Sequence, residues 1–459
     1  MNKKRIIGIV GTLVVCVGII IAGKTFSKEK SATILDKDGR KIAELVYRDQ
    51  EMFYVCEEGY ESYADLVCKE AVTYVKEKEG LTEREAQEKI VAEEMKISTY
   101  FDEKSFQSLK TSYEKSDVIK QKNFGVGISD IQGCLKACYS FSKEGTSRNN
   151  LAVSTYAGST IKPLTVYGPG IESGKICWSS MYMDSPYTKQ LDEDGNLSDW
   201  PTNTKPYQNE MITVEEALKK SNNAVAVKVL KDCGVENACE YLERKFGIDV
   251  EAEKEIVKTS GEDKVLSNIA LGYLKHGVTI PQMLAAYGTF ANGGVYYPTH
   301  AIQQIENSKD EIYYEKENQG TRIFSEETAF IMNRLLKKVV EEGGTGADAK
   351  IDDLDVCGKT GTSEKFLNNW FIGMTPEYVC AVWYEGDQEW YLRNESVFIF
   401  KEIMENMPHN KALKYPEAPF IEKMEYCKKT GLHANEYCEE KVDGFYSQKN
   451  VPARCNCKR

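Results

Sequence analysis

Apolar positions recur at helical spacing along residues 61–79, where Tyr63, Val67, Ala71, Tyr74 and Val75 share one face and predict an amphipathic helix. Gly80 closes it. Thr82 and Glu85 then form the capping box of a second helix, with Leu81 placed as its hydrophobic staple. Residues 96–101 read as a strand and 103–115 as a helix, while upstream residues 31–45 are extended with a turn at Asp38-Gly39. From Phe124 the texture changes to short apolar runs broken by glycine, which predicts a domain boundary near residue 120. Helical periodicity returns over 214–230, 235–246 and 326–341, the last behind a Ser325 cap. Residues 355–385 alternate and are rich in Val, Trp and Tyr, which predicts two neighbouring strands.

The N-terminus breaks this pattern. Lys3, Lys4 and Arg5 precede an apolar run over residues 6–23, closed by Lys24. The run is at the lower edge of what spans a bilayer, and its basic flank predicts residues 1–5 in the cytoplasm and the remainder outside. No small-x-small cleavage site follows, so the run is read as a retained single-pass membrane anchor. The chain has 459 residues, 41% hydrophobic and 28% charged, which is enough for two or three domains with ordinary cores. A net charge of −12 argues against nucleic-acid binding, which rests on neutralising phosphates with Lys and Arg.

Of 14 cysteines, Cys427, Cys438, Cys455 and Cys457 crowd the last part of the chain. On the outer side of a membrane they are expected to form at least one disulfide. Free thiols are the second reading. Zinc, with His433 nearby, is the third, set back by irregular spacing without a Cys-x-x-Cys. His276, His300, His409 and His433 are the only histidines, which weakens any Ser-His-Asp hydrolase.

Ser159-Thr160-Ile161-Lys162 carries the chemistry. Residues three apart share a helix face, so the Lys162 amine is within reach of the Ser159 hydroxyl, and Pro163 suits a helix start. A lysine kept neutral by burial or a second cation can accept the serine proton, and N–H groups at a helix start can hold an oxyanion. Ser-x-x-Lys alone is weak, since Ser27…Lys30 and Ser112…Lys115 match it. Ser221-Asn222-Asn223 is mimicked by Ser147-Arg148-Asn149, and Lys359-Thr360-Gly361 by Lys429-Thr430-Gly431. Order and context select Ser159, then Ser221, then Lys359, where Gly358 and Gly361 allow close approach of another backbone. The ordered triple is the signature of serine β-lactamases and penicillin-binding proteins.

From about residue 60 to its end the chain resembles the linker, transpeptidase domain and tail of class A penicillin-binding proteins. The likeness lies in Ala157-Gly-Ser-Thr-Ile-Lys-Pro163, Glu216-Ala-Leu-Lys-Lys-Ser-Asn-Asn223, Ala270-Leu-Gly272, Gly277-Val-Thr-Ile-Pro281, Gly344-Thr-Gly346 and Trp370-Phe-Ile-Gly373. It continues through Ala285-Ala-Tyr-Gly-Thr-Phe-Ala-Asn-Gly-Gly294. Asn368 and Asn369 stand where the family often has Asp before the Trp-Phe pair. Residues 31–45 look like the segment that normally precedes a glycosyltransferase domain, yet linker-like helices begin near residue 60, so that domain is expected to be missing.

The resemblance implies an α/β fold of the α+β kind, the penicilloyl-serine transferase type, with an antiparallel sheet flanked by helices. The domains would be residues 24–120 as membrane-proximal linker, 121–410 as transpeptidase and 411–459 as cysteine-containing tail. Ser159 would attack a D-Ala-D-Ala stem peptide, with Lys162 as base. Ser221 and Asn223 would line the site and relay a proton. Lys359, Thr360, Gly361, Thr362 and Trp370 would meet substrate, Lys359 and the two threonines through its carboxylate. The N–H groups of Ser159 and Thr362 would form an oxyanion hole. β-Lactams would acylate Ser159, no metal or organic cofactor is implied, and a separate membrane glycosyltransferase would be a partner. The rival functions are a D,D-carboxypeptidase, a β-lactamase, or a non-catalytic penicillin-binding sensor or scaffold.

Overall fold

The helices expected before residue 120 form where their capping residues place them in the computed structural model, which describes residues 5–8, 30–145, 148–191, 195–363, 366–386 and 394–458. Helix Glu61–Glu79 buries Tyr63, Val67, Ala71 and Val75 and ends on Gly80 in the left-handed conformation. Helix Glu83–Ala92 has the Thr82–Glu85 capping box, and Asp102 caps helix Glu103–Lys115 through the amide of Ser105.

These elements belong to the first of two compact units, residues 1–153 with 299–319. The expected boundary near residue 120 lies inside this unit. Its main sheet runs in the order Arg5–Gly8, Glu51–Cys56, Lys41–Arg48, Ala32–Leu35, Lys96–Thr99, Ile302–Glu306, Ile312–Glu315. The 41–56 hairpin turns through Asp49 and Gln50, both at positive φ, with Arg48 paired to Glu51. This tight turn matches the right-handed twist of the strands it joins. No domain is inserted between Leu45 and Tyr63. Most of the apolar run 6–23 expected to be an anchor lies outside the described residues. Its first part departs from expectation: Arg5–Gly8 pairs as a strand along the edge of Glu51–Cys56. Among the described residues no helix is long and apolar enough to cross a membrane.

The second unit comprises residues 154–298 and 320–459. Three consecutive antiparallel strands, Cys357–Thr362, Asn368–Met374 and Tyr378–Glu385, occupy the stretch where alternation predicted two. They are buried at nearly every position instead of at every second one. Helices Ile280–Ala291, Glu326–Val340 and Glu395–Asn406 pack against them, and a strand covered on both faces reads as a continuous apolar run. The helix expected over 214–230 is two, Val214–Lys219 and Asn223–Cys233. The chain breaks at Ser221, which is left-handed at φ 57°, and Asn222 caps the second helix. Residues 235–246 likewise divide into Val235–Glu240 and a π-turn, Tyr241–Lys245.

Candidate active site

Backbone contacts, more than side chains, bring the Ser159 turn to the Lys359 strand. Gly158 is left-handed at φ 53°, and a Cβ there would sit 2.6 Å from the Thr362 carbonyl oxygen. A Cβ on Gly361 would sit 2.6 Å from the Ala157 oxygen, and one on Gly272 only 2.2 Å from the Gly158 oxygen. Three glycines therefore let the turn, the strand and the end of helix Leu266–Leu271 touch directly. Ser159 lies in a 3₁₀ turn, Gly158–Ile161, followed by Lys162 and a π-turn, Pro163–Tyr167, where an ordinary helix start was expected. Irregular turns of this kind mark functional sites. Tyr287 donates its hydroxyl to the Thr160 carbonyl at 2.7 Å, and Thr165 donates to the Ile269 carbonyl at 2.8 Å, so the turn is pinned from two sides.

Lys162 is fully buried, and its amine donates to Asn223 Oδ1 at 2.6 Å and to the carbonyls of Ser221 at 2.9 Å and Asn222 at 3.4 Å. No hydrogen bond joins it to the half-buried Ser159 hydroxyl, although the two share one turn. Burial, and then the nearby charge of Lys359, push the Lys162 pKa well below the ordinary lysine range. Lys359 is also fully buried. It donates to Ser221 Oγ at 2.8 Å and to the Thr360 carbonyl at 2.9 Å, and burial lowers its pKa to about 7. Ser221, accepting from Lys359, keeps its own proton free to donate.

The structure unites Ser159, Lys162, Ser221, Asn223, Lys359 and Thr362, as the motif order predicts. Three of the residues expected to meet substrate also make contacts within the protein. Trp370 is only 1% exposed, and its Nε1 donates to the Tyr156 carbonyl at 3.0 Å, so its ring braces the segment leading to Ser159. Thr360 is buried against Thr345, their hydroxyls 2.7 Å apart, and Gly361 faces Ala157. The decoys also resolve. Ser112 is buried and donates to the Ser108 carbonyl, and Gly431 forms a turn onto the Cys427 carbonyl. Ser27 and Ser147 lie outside the described residues.

Sequence reasoning missed Asp184. This buried carboxylate accepts from the side-chain amides of Asn203 and Asn222, both at 2.8 Å, and from the Gln208 amide at 3.0 Å. Held so, Asn203 turns its Oδ1 to the amides of Asn223 and Ala224. Asn223 donates its own Nδ2 to the Thr202 carbonyl, which leaves its oxygen for Lys162. An Asp-Ser-Pro triplet in a polar stretch reads as a turn, and nothing local marks it as a buried brace.

Residues 100–405 match the family described as "Penicillin binding protein transpeptidase domain". The chain belongs to this penicillin-binding transpeptidase family. Among its relatives, penicillin-binding protein 1A of Clostridium botulinum is 31% identical over 60% of this chain and 33% of that protein. Penicillin-binding protein 4 of Bacillus subtilis is 30% identical over 72% of this chain and 53% of that one. The chain thus spans a third to a half of the length of these curated relatives. Its fold is similar to the D,D-transpeptidase domain of a peptidoglycan glycosyltransferase from Eggerthella lenta (TM-score 0.61, 17% identity, 83% of this chain and 98% of that one). It is also similar to the penicillin-binding protein PonA1 of Mycobacterium tuberculosis (TM-score 0.61, 17% identity, 79% and 95%). At these identities the structural likeness speaks for the penicillin-binding transpeptidase fold.

Proposed function

We propose that the chain is a peptidoglycan D,D-transpeptidase that cross-links stem peptides through a Ser159 acyl-enzyme and is inhibited by β-lactams. The observation that carries this reading is the fully buried Lys162 amine, depressed in pKa and bonded to Asn223, on the same turn as Ser159. Ser159 Oγ attacks the carbonyl of the D-Ala-D-Ala bond and its proton passes to the neutral Lys162 amine. The carbonyl electron pair moves to an oxyanion held by the N–H groups of Ser159 and Thr362, whose backbones the Gly158 contact brings together. Collapse of that intermediate breaks the C–N bond, and the leaving D-Ala amine takes a proton relayed by Ser221. An acceptor amine then attacks the ester and returns the proton to Ser159.

Lys359, with Thr362, binds the substrate carboxylate. That charge favours the protonated form of Lys359, which in turn keeps Lys162 neutral. The apolar residues that continue past the Arg5–Gly8 strand attach the chain to the membrane. The hairpin that joins Leu45 to residue 56 leaves no place for a glycan-polymerising domain there, so a separate glycosyltransferase supplies the strands.

The test combines a stem-peptide donor, an acceptor amine and glycan from an added polymerase. Cross-linked product, lost in Ser159→Ala together with covalent labelling by fluorescent penicillin, is expected. Release of D-Ala without cross-links makes the chain a carboxypeptidase. Labelling without either product favours the sensor or scaffold.

A further inference from the structure

The C-terminal hairpin, strands Ile421–Cys427 and Lys441–Ser447, poses a packing problem. Two strands alone are marginally stable in water, and a module this small needs a staple. The buried cluster where the end of the first strand, the connection between the strands and the segment after the hairpin meet consists of Cys427, Cys438 and Cys455, with Leu432, Ala434 and Cys457 packed against it. Cysteines occupy the place of aliphatic side chains.

We propose that Cys427, Cys438, Cys455 and Cys457 bind one Zn²⁺ as a tetrahedral tetrathiolate centre that holds the tail folded. The four sulfurs all lie within 4.8 Å of one another. Cys455 and Cys457 are 3.4 Å apart, and Cys427 and Cys457 are 4.0 Å apart. A tetrahedral zinc with Zn–S bonds of about 2.3 Å sets its sulfurs about 3.8 Å apart, whereas a disulfide needs about 2.05 Å. All four are free thiols, so the disulfide expected from the sequence is not what the geometry presents.

Outer contacts suit thiolates. The Asn435 amide donates to Cys438 Sγ at 3.3 Å, and the Thr430 hydroxyl lies 3.2 Å from Cys455 Sγ. Asn435 also donates its Nδ2 to the carbonyls of Cys455 and Cys457, at 2.9 and 3.0 Å, and so fixes one ligand loop against the other. Such contacts orient metal ligands and tune their basicity. Binding releases the thiol protons and leaves the centre with two negative charges, which Lys428, Lys429, Arg454 and Lys458 surround in sequence. His433 contributes backbone only: its amide donates to the Ala453 carbonyl and its carbonyl accepts from the Cys455 amide.

The centre also bears on the rest of the second unit. Ser179 donates to the Gly431 carbonyl at 2.6 Å, Tyr446 donates to Ser179 at 2.8 Å, and Phe445 packs on Trp178 and Phe330. Ser179 stands just before the strand Met181–Met183 that leads to Asp184.

The full chain, expressed with zinc in the medium and purified without chelator, is expected to carry one zinc per chain by elemental analysis. Cys438→Ser and Cys455→Ser should lose it, and Cys380→Ser, a buried cysteine elsewhere, should keep it. Should the tail variants fold poorly, wild-type protein reconstituted with Co²⁺ decides. Strong visible bands of tetrahedral thiolate cobalt, with four thiols shielded from alkylation until the metal is stripped, support the centre. Folded wild-type protein free of metal, a mass two or four hydrogens below the fully reduced chain, or iron in place of zinc overturns it.

Discussion

Lys162 Nζ and Asn223 Oδ1 lie 2.6 Å apart although 61 residues separate them in sequence. The amine of the Ser-x-x-Lys turn is thereby tied to the helix that carries the second motif. Asn223→Ala removes its closest acceptor and frees the amine to move. A lost hydrogen bond to such a group is worth about 1–3 kcal/mol, so acylation by a β-lactam should slow by about tenfold to a hundredfold. Stopped-flow acylation measures this, and an unchanged rate would remove Asn223 from the mechanism.

The two buried lysines predict a pH profile. Acylation needs neutral Lys162, so the rate should climb as pH rises through the depressed Lys162 pKa and then level off. Lys359→Ala removes the cation that disfavours the charged form of Lys162. Its pKa should rise, and the acidic limb should move to higher pH. Burial remains the larger cause, so the limb should stay below the ordinary lysine range.

Stability follows from the same burial. Between about 7 and 10.5 the unfolded chain keeps Lys359 protonated while the folded chain sheds the proton. The unfolded state therefore binds more protons in that window, and stability should rise with pH across it. Lys359→Met should flatten the rise, as read by urea unfolding at the two ends of the window.

Asp184→Ala leaves the amides of Asn203 and Asn222 without their acceptor inside the protein. The unsatisfied donor on buried Asn222 costs about 1–3 kcal/mol and the one on half-buried Asn203 less, so a clear fall in Tm is expected. Acylation should slow as well, because Asn203 no longer aims Asn223 at Lys162. The pH midpoint should stay where it was, since Asp184 acts by positioning; a midpoint that moved would give it a direct electrostatic role.

Gly158→Ala places a methyl group where 2.6 Å separates it from the Thr362 carbonyl, on a backbone already left-handed. Penicillin labelling should be lost or nearly so. Far-UV circular dichroism should change little, because the turn is short. Retained labelling would mean that the turn and strand can separate without harm.

How much of this could be read without the fold depends on the range of each signal. Periodicity and capping act within one or two turns, so helices Glu61–Glu79, Glu83–Ala92 and Glu326–Val340 were legible from Tyr63, Thr82 and Ser325 with their neighbours, and Glu103–Lys115 from its own stretch of chain. Motif identity and order likewise selected Ser159, Ser221 and Lys359 over their decoys, since those residues carry their chemistry in their side chains. Long-range contact decided the rest. Burial on both faces erased the alternation that predicted two strands where there are three, and Ser221 broke a helix to put its hydroxyl against Lys359. Trp370 became a brace because its ring lies inward, Asp184 became an anchor because two asparagines from other segments converge on it, and four irregularly spaced cysteines met at one point. A sequence records which groups are present and how near neighbours fold. Only the packed chain determines which distant groups lose water together, and that desolvation sets the pKa values, the partners and the chemistry of this site.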